Sequence, residues 1–386
     1  GVPGKTVPYD AQDKIYDDFF KKLAAASDVL KNKQNEKPYG TFDLIYGGDA
    51  AKWYRFTNTL RLRLALRISK VDPARAKTEA EAAVAAGVFQ SSPGDDALLQ
   101  KSTKGADNNG LSIMSDWNEF RMSASMESVM KGYKDPRMSV YWLPNNATKA
   151  NPNGTGKYDG LRNGLTSTQL TEAVNLPTAN AKVGARWSSP DFGGNANYLE
   201  TPQNIMSVAE AFFLRAEGAL LGWNMNGTAK SLYEEGIRQS MRQWGITDAA
   251  AITAYINSPD VPVAPEDFLK SPAVSKAPIK WASDIATQRE QIAIQKWLAI
   301  FPDGTEAWAD YRRARNFILY PVANSENPDI TDPTKQWIRR IPFLLSEKQN
   351  ELFFADKVIV CEGYHDFILK AVADELFPGK LEEQNI

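Results

Sequence analysis

The chain has 386 residues, 43% of them hydrophobic and 24% charged, with a formal net charge of -2. That is the composition of an ordinary globular protein, long enough for roughly two or three core-forming units unless a helical array grows without splitting. The near-zero charge excludes nucleic-acid capture by bulk electrostatics; with Cys361 and His365 the sole cysteine and histidine, residues 1–360 cannot build a thiol nucleophile, a Ser-His-Asp triad, a zinc site or a disulfide framework.

Carboxylate pairs are available, so composition leaves a glycosidase open. No apolar run of about 18 residues exists to cross a bilayer as a helix. The chain opens at Gly1 without an export signal, which fits a processed or truncated chain.

In chain order, Asp10 is the expected cap of a first helix that carries Ile15, Tyr16, Phe19, Leu23, Ala26 and Leu30 on one face. The stretch from Ala50 to Ser69 is ambiguous at Leu60 to Leu64, where strict alternation also suits a strand. Trp53, Phe56, Leu60, Leu64 and Ile68 keep helical spacing over a run too long for most strands, so helix is the reading. Asp72 then caps a second helix, Pro73 takes its first position, and Gly87 stops it.

A second pair comes later. Ile205, Val208, Ala209, Phe212, Ala216, Ala219, Leu220 and Trp223 form an apolar stripe broken by Asn224 to Gly227. Tyr233, Ile237, Met241 and Trp244 form another before Gly245, so these two helices are expected to pack antiparallel as one unit of a helical repeat. Ile285, Ile292, Trp297, Leu298 and Phe301 mark a further helix. Between the pairs, Gln90 to Asn118 and Asn145 to Thr201 are rich in Gly, Asn, Ser, Thr and Pro, yet hold several Trp and Tyr residues, which favours an ordered surface over a linker.

The segment Asp43 to Asp49 (DLIYGGD) followed by Trp53 to Ile68 (WYRFTNTLRLRLALRI) resembles the signature helix of SusD/RagB outer-membrane lipoproteins of Bacteroidota. Glu210 to Glu217 (EAFFLRAE) with Gly222-Trp223 resembles that family's repeat helix, and Tyr233 to Ile237 (YEEGI) its partner. Gln295 to Arg313 (QKWLAIFPDGTEAWADYRR) resembles the C-terminal hallmark, and Arg339 to Phe343 (RRIPF) the closing segment. The matches are collinear from residue 9 to about 343, a far more specific signal than any one short motif.

The resemblance implies a mostly α fold of tetratricopeptide-like helix pairs, residues 1–343, carrying an irregular, loop-rich ligand-binding subdomain at about 90–201. It implies a non-catalytic protein on the outer face of the outer membrane that binds oligosaccharides or peptides and hands them to a SusC-like TonB-dependent transporter, with no cofactor. Membrane attachment would run through a lipid anchor absent from this sequence, as are the family's export signal and first helical region. The tail from about Ser346, with Asn350 to Gly363 (NELFFADKVIVCEG), resembles instead the opening strand and Glu-Gly turn of a Toprim domain from an overcoming-lysogenisation-defect-type nuclease. No Asp-x-Asp pair follows Glu362, so a metal-dependent nuclease site would be incomplete, and the tail reads either as a segment of different origin or as a helix-strand-helix extension.

Sugar recognition needs flat aromatic faces and polar groups that satisfy hydroxyls. Trp117, Asn118, Glu119, Arg121, Tyr133, Tyr141, Trp142 and Trp187 lie in or beside the irregular stretches and are the candidate ligand contacts. On that reading Trp142→Ala weakens glycan or peptide binding without a large loss of thermal stability. The same aromatics could instead close the core. Trp297, Trp308 and Tyr311 are assigned to packing by their helical periodicity, and Asp303 and Glu306 to capping or to pairing with Arg312 or Arg313. Arg61, Arg63 and Arg67 are expected in intrachain ion pairs rather than in a phosphate patch. Asp107 to Gly110 (DNNG) is expected to be an Asx turn rather than a calcium loop.

Overall fold

The computed structural model describes residues 10–104 and 107–325. The chain divides into two units, residues 1–19 with 337–386 and residues 20–336, and of the first only residues 10–19 are among those described. The closing segment at 339–343 and the tail therefore lie outside the described residues.

The described chain is mostly helical. In order it runs through helices α1 (Gln12–Lys31), α2 (Ala50–Arg67) and α3 (Pro73–Ala86), strand β1 (Ala97–Leu99), helices α4 (Gly110–Asp116), α5 (Ala124–Gly132) and α6 (Met138–Tyr141), then strands β2 (Trp142–Leu143), β3 (Lys182–Val183) and β4 (Gln203–Met206). Helices α7 (Val208–Leu220), α8 (Ala229–Gln243), α9 (Ala249–Ile256), α10 (Ile285–Ala299) and α11 (Gly304–Ala314) follow. No helix among the described residues is long and apolar enough to cross a membrane.

Both expected helix pairs are present. The Asp49 carboxylate accepts the Lys52 N–H to open α2, Asp72 accepts the Arg75 N–H to open α3, and Gly87 ends α3 with φ 114°. Leu62, Ala65 and Leu66 of α2 bury against an α3 stripe of Ala76, Ala80 and Ala83, whose small side chains let the two helices approach closely. In the second pair, Ser207 caps α7 and Thr228 caps α8. Gly236 of α8 faces the buried ring of Phe213, where a Cβ would meet ring carbons at 2.8 Å. Helix α10 packs on both α7 and α8, and α2 packs on α7, which makes a layered helical frame.

The arginines of α2 are indeed paired. Arg61 bonds Glu79 at 2.6 Å, Arg63 bonds Glu210 at 2.6 Å, and Arg67 bonds Glu306 at 2.6 Å. Asp303 caps α11 as expected, accepting the Glu306 N–H at 3.0 Å, while three sequence expectations change. Glu306 reaches Arg63 and Arg67 on α2, while Arg313 turns to Glu217 and Asp310, because α11 docks its N-terminal turn toward α2. Trp297, Trp308 and Tyr311 are half-buried rather than core residues. In α1, Phe19 is 42% exposed and Phe20 is the buried ring, so the inward face runs through Phe20 and Ser27, one position from the expected stripe. Ser27 enters the core because its hydroxyl donates to Asn58 at 2.8 Å.

The irregular stretches are ordered by hydrogen bonds to a nearly enclosed helix. Glu127 of α5 accepts the Gly160 N–H at 2.6 Å and the Glu266 N–H at 2.9 Å, and Ser128 accepts the Val274 N–H at 3.0 Å. Two short antiparallel ladders add to this, β1 with β4 (Ala97 opposite Met206) and β2 with β3 (Trp142 opposite Val183).

Candidate functional site

Helix α4 is built to hold its far end rigid. Asn109 caps it, accepting the Leu111 and Ser112 N–H groups at 3.0 and 3.2 Å, so the DNNG segment makes the expected Asx turn. The Asn109 amide also donates to the Thr201 carbonyl at 2.8 Å, Ser112 donates to the Tyr198 carbonyl at 2.7 Å, and Ser115 bonds Ser188 at 3.1 Å. One side of α4 is thus fastened to the 185–201 stretch, and Trp117, which closes the helix, is left 64% exposed. Asn118 follows with φ 61°, a left-handed conformation that asparagine tolerates, and turns the chain away from the helix.

Arg121 is fixed by three bonds to neutral oxygens. Its Nε–H donates to the Pro177 carbonyl at 3.0 Å, Nη1 to the Phe120 carbonyl at 2.7 Å and Nη2 to Asn118 Oδ1 at 2.8 Å. Next to it, the Met122 N–H donates to the Ala181 carbonyl at 2.9 Å, which brings Lys182 of β3 alongside. The Lys182 ammonium lies 3.3 Å from the centre of the Phe192 ring and donates to the Ser115 carbonyl and to Asn118 Oδ1. Burial, and then the charge of Arg121, push the Lys182 amine down to about 8. Tyr198 donates its hydroxyl to Asp116, which lifts the phenol to about 12. Leu170, Val174 and Leu176, each about two-fifths exposed, form an apolar shelf on the short turns that carry Pro177.

Of the eight residues expected from sequence, Trp117, Asn118, Glu119 and Arg121 come together on this surface. The other four are inside the protein. Tyr133 donates its hydroxyl to the Ala277 carbonyl and Tyr141 to the Leu298 carbonyl, both at 2.9 Å. Trp142 and Trp187 are each 2% exposed, and with Tyr141, Trp244 and Phe301 they make one aromatic cluster with ring centres 4.6 to 5.7 Å apart. A ligand on the surface cannot touch these rings; they are packing residues. Phe120 joins the two zones, its ring stacked on Trp142 at 6.1 Å and 10°. Asp116, Lys182, Phe192 and Tyr198 also belong to this surface and were not among the residues expected from sequence. The one local signal was a lysine between apolar neighbours, Ala181 and Val183.

The sequence profile of the SusD-like family, described as Susd and RagB outer membrane lipoprotein, matches residues 1–366. The chain belongs to the SusD-like family. Among solved structures, this SusD-like protein is similar to a chitin-binding SusD homolog from Flavobacterium johnsoniae, with 38% identity and a TM-score of 0.74 over 90% of this chain and 69% of that one. It is also similar to a SusD-like protein from Bacteroides thetaiotaomicron, with 34% identity and a TM-score of 0.75 over 91% of this chain and 70% of that one. A SusD homolog from Bacteroides ovatus matches with 31% identity and a TM-score of 0.75 over 88% of this chain and 68% of that one. No curated protein sequence matches the chain.

Proposed function

We propose that this SusD-like protein is a non-catalytic glycan-binding protein of the outer-membrane surface that passes its ligand to a SusC-like TonB-dependent transporter. The carrying observation is Trp117, an indole left 64% exposed at the end of a helix that is otherwise tied down, with Asn118, Glu119 and Arg121 beside it. An exposed aromatic face at the end of a fastened helix suits the C–H surface of a pyranose, and flanking amide, carboxylate and guanidinium groups suit its hydroxyls. Family membership supports the same reading, as does the likeness to a chitin-binding homolog.

Titration calorimetry with chitohexaose and with a panel of oligosaccharides and short peptides tests it. Saturable glycan binding that is lost in Trp117→Ala supports the proposal, and release of reducing ends during the incubation contradicts the non-catalytic part. Transfer to a transporter is tested by co-purification with a SusC-like TonB-dependent receptor from the same cells.

A further inference from the structure

Most buried arginines meet carboxylates: Arg63 pairs with Glu210, Arg137 with Asp135, Arg162 with Asp267 and Arg313 with Glu217, as does the half-buried Arg55 with Asp95. Arg215 bonds only the carbonyls of Met225 and Asn226, but no second cation stands beside it. Arg121 and Lys182 differ from all of these. They are adjacent like charges, each bonded only to carbonyl, amide or ring acceptors, with no carboxylate at ion-pair distance among the described residues.

Two neighbouring cations that are partly removed from water repel one another and are left uncompensated. The nearest acids do not resolve this. Asp116 attracts Lys182 from beyond ion-pair distance while it holds the Tyr198 hydroxyl, and Glu119 is exposed. Arg121 keeps one further N–H on each terminal nitrogen, on the same surface as Trp117. Lys182 is 6% exposed, so it contributes its field from behind rather than a contact.

We propose that the glycan taken by this surface is acidic, with a carboxylate or sulfate oxygen seated on the outer N–H groups of Arg121, in the joint field of Arg121 and Lys182, while a sugar ring lies on Trp117. This rests on the reading of the Trp117 surface as a glycan site. A ligand anion there supplies the counter-charge that the protein does not. Charge-assisted bonds to a planar guanidinium favour carboxylate and sulfate oxygens over hydroxyls.

The test uses two matched pairs on the intact chain, oligogalacturonate against its methyl ester, and a κ-carrageenan oligosaccharide against its desulfated form. The expected result is that in one pair the charged member binds at least about tenfold more tightly at low salt, that the ratio shrinks with added salt, and that Arg121→Gln brings it to about one. The pair that shows the preference tells carboxylate from sulfate. Cooperative urea unfolding like that of wild type guards against a folding defect in Arg121→Gln, and Arg121→Lys, which keeps the charge without the planar fork, is expected to retain part of the preference. A ratio of about one in both pairs, with the neutral members still bound through Trp117, overturns this inference and leaves the glycan reading standing. Binding of none of the four, with chitohexaose or another neutral oligosaccharide still bound, overturns this inference alone; the glycan reading falls only if those titrations fail as well. A preference that survives Arg121→Gln, or poly-glutamate binding as tight as the acidic glycan, also overturns it.

Discussion

Arg63 on α2 and Glu210 on α7 are joined by two bonds of 2.6 Å across a separation of 147 residues. Glu210 is 2% exposed, and Arg63 also lies 3.6 Å from Glu306, which in turn bonds Arg67. One ionic cluster therefore fastens α2, α7 and α11. Breaking a buried pair leaves a charge without compensation, which costs about 3 kcal/mol. Glu210→Ala is expected to lower unfolding stability by that amount in urea titrations, and Arg63→Met with Glu210→Met to recover most of it. A single-variant cost under about 1 kcal/mol would show that the cluster does not hold the helices.

The closeness of α7 and α8 depends on Gly236. A methyl group there would meet Phe213 ring carbons at 2.8 Å, and that ring is fully buried. Gly236→Ala is expected to destabilise by about 1 to 3 kcal/mol through overpacking, despite the better helix propensity of alanine. Phe213→Leu in the same chain is expected to relieve part of the loss, so the two changes are non-additive in a double-mutant cycle. Additive losses would mean that the helices separate freely.

Two tryptophans expected from sequence to act alike now separate. Trp117→Ala removes an exposed ring and is expected to change stability by less than about 0.5 kcal/mol while it abolishes glycan binding. Trp142→Ala removes a ring packed against Phe120 and Phe301 and is expected to cost about 3 to 5 kcal/mol. Differential scanning calorimetry of both variants beside the binding assay checks this. A stable Trp142→Ala protein that has lost binding would return Trp142 to the site.

Features written in neighbouring residues were legible. Asp72, Pro73 and Gly87 bound α3 because capping is a local hydrogen-bonding matter, and the α7 and α8 stripes keep their period over several turns. That the α2 arginines would pair was legible from charge balance; that Arg67 reaches a glutamate 239 positions away was not, since only the docking of α11 brings it there. Phe19 and Phe20 both fit a helical stripe, and tertiary packing chose the second. At the candidate site, Trp117 to Arg121 read in the sequence as one contiguous aromatic and polar run, and in the fold they share one surface. Tyr133 and Tyr141 looked equally suitable, but chain segments 144 and 157 residues away fold over them and accept their hydroxyls. Lys182 enters from another stretch altogether, through a backbone bond between Met122 and Ala181 that no local pattern encodes.

Lys182 gives the site a titration of its own. Its amine is held at about 8 in the folded protein against an ordinary 10.5, so above about pH 8 the folded chain releases this proton while the unfolded chain keeps it. The unfolded state then binds more protons, and stability from this group rises with pH between those two values. Tyr133, Tyr233 and Tyr255 act oppositely above about pH 10, because burial keeps their phenols protonated only in the folded state. The comparison that isolates Lys182 is therefore wild type against Lys182→Met, measured by urea unfolding from about pH 7.5 to about pH 10. Wild type is expected to gain on the order of 1 kcal/mol on the variant over that interval. Parallel stability curves would show that the amine keeps an ordinary affinity for its proton, and with it that Arg121 and Lys182 do not feel one another as uncompensated neighbours.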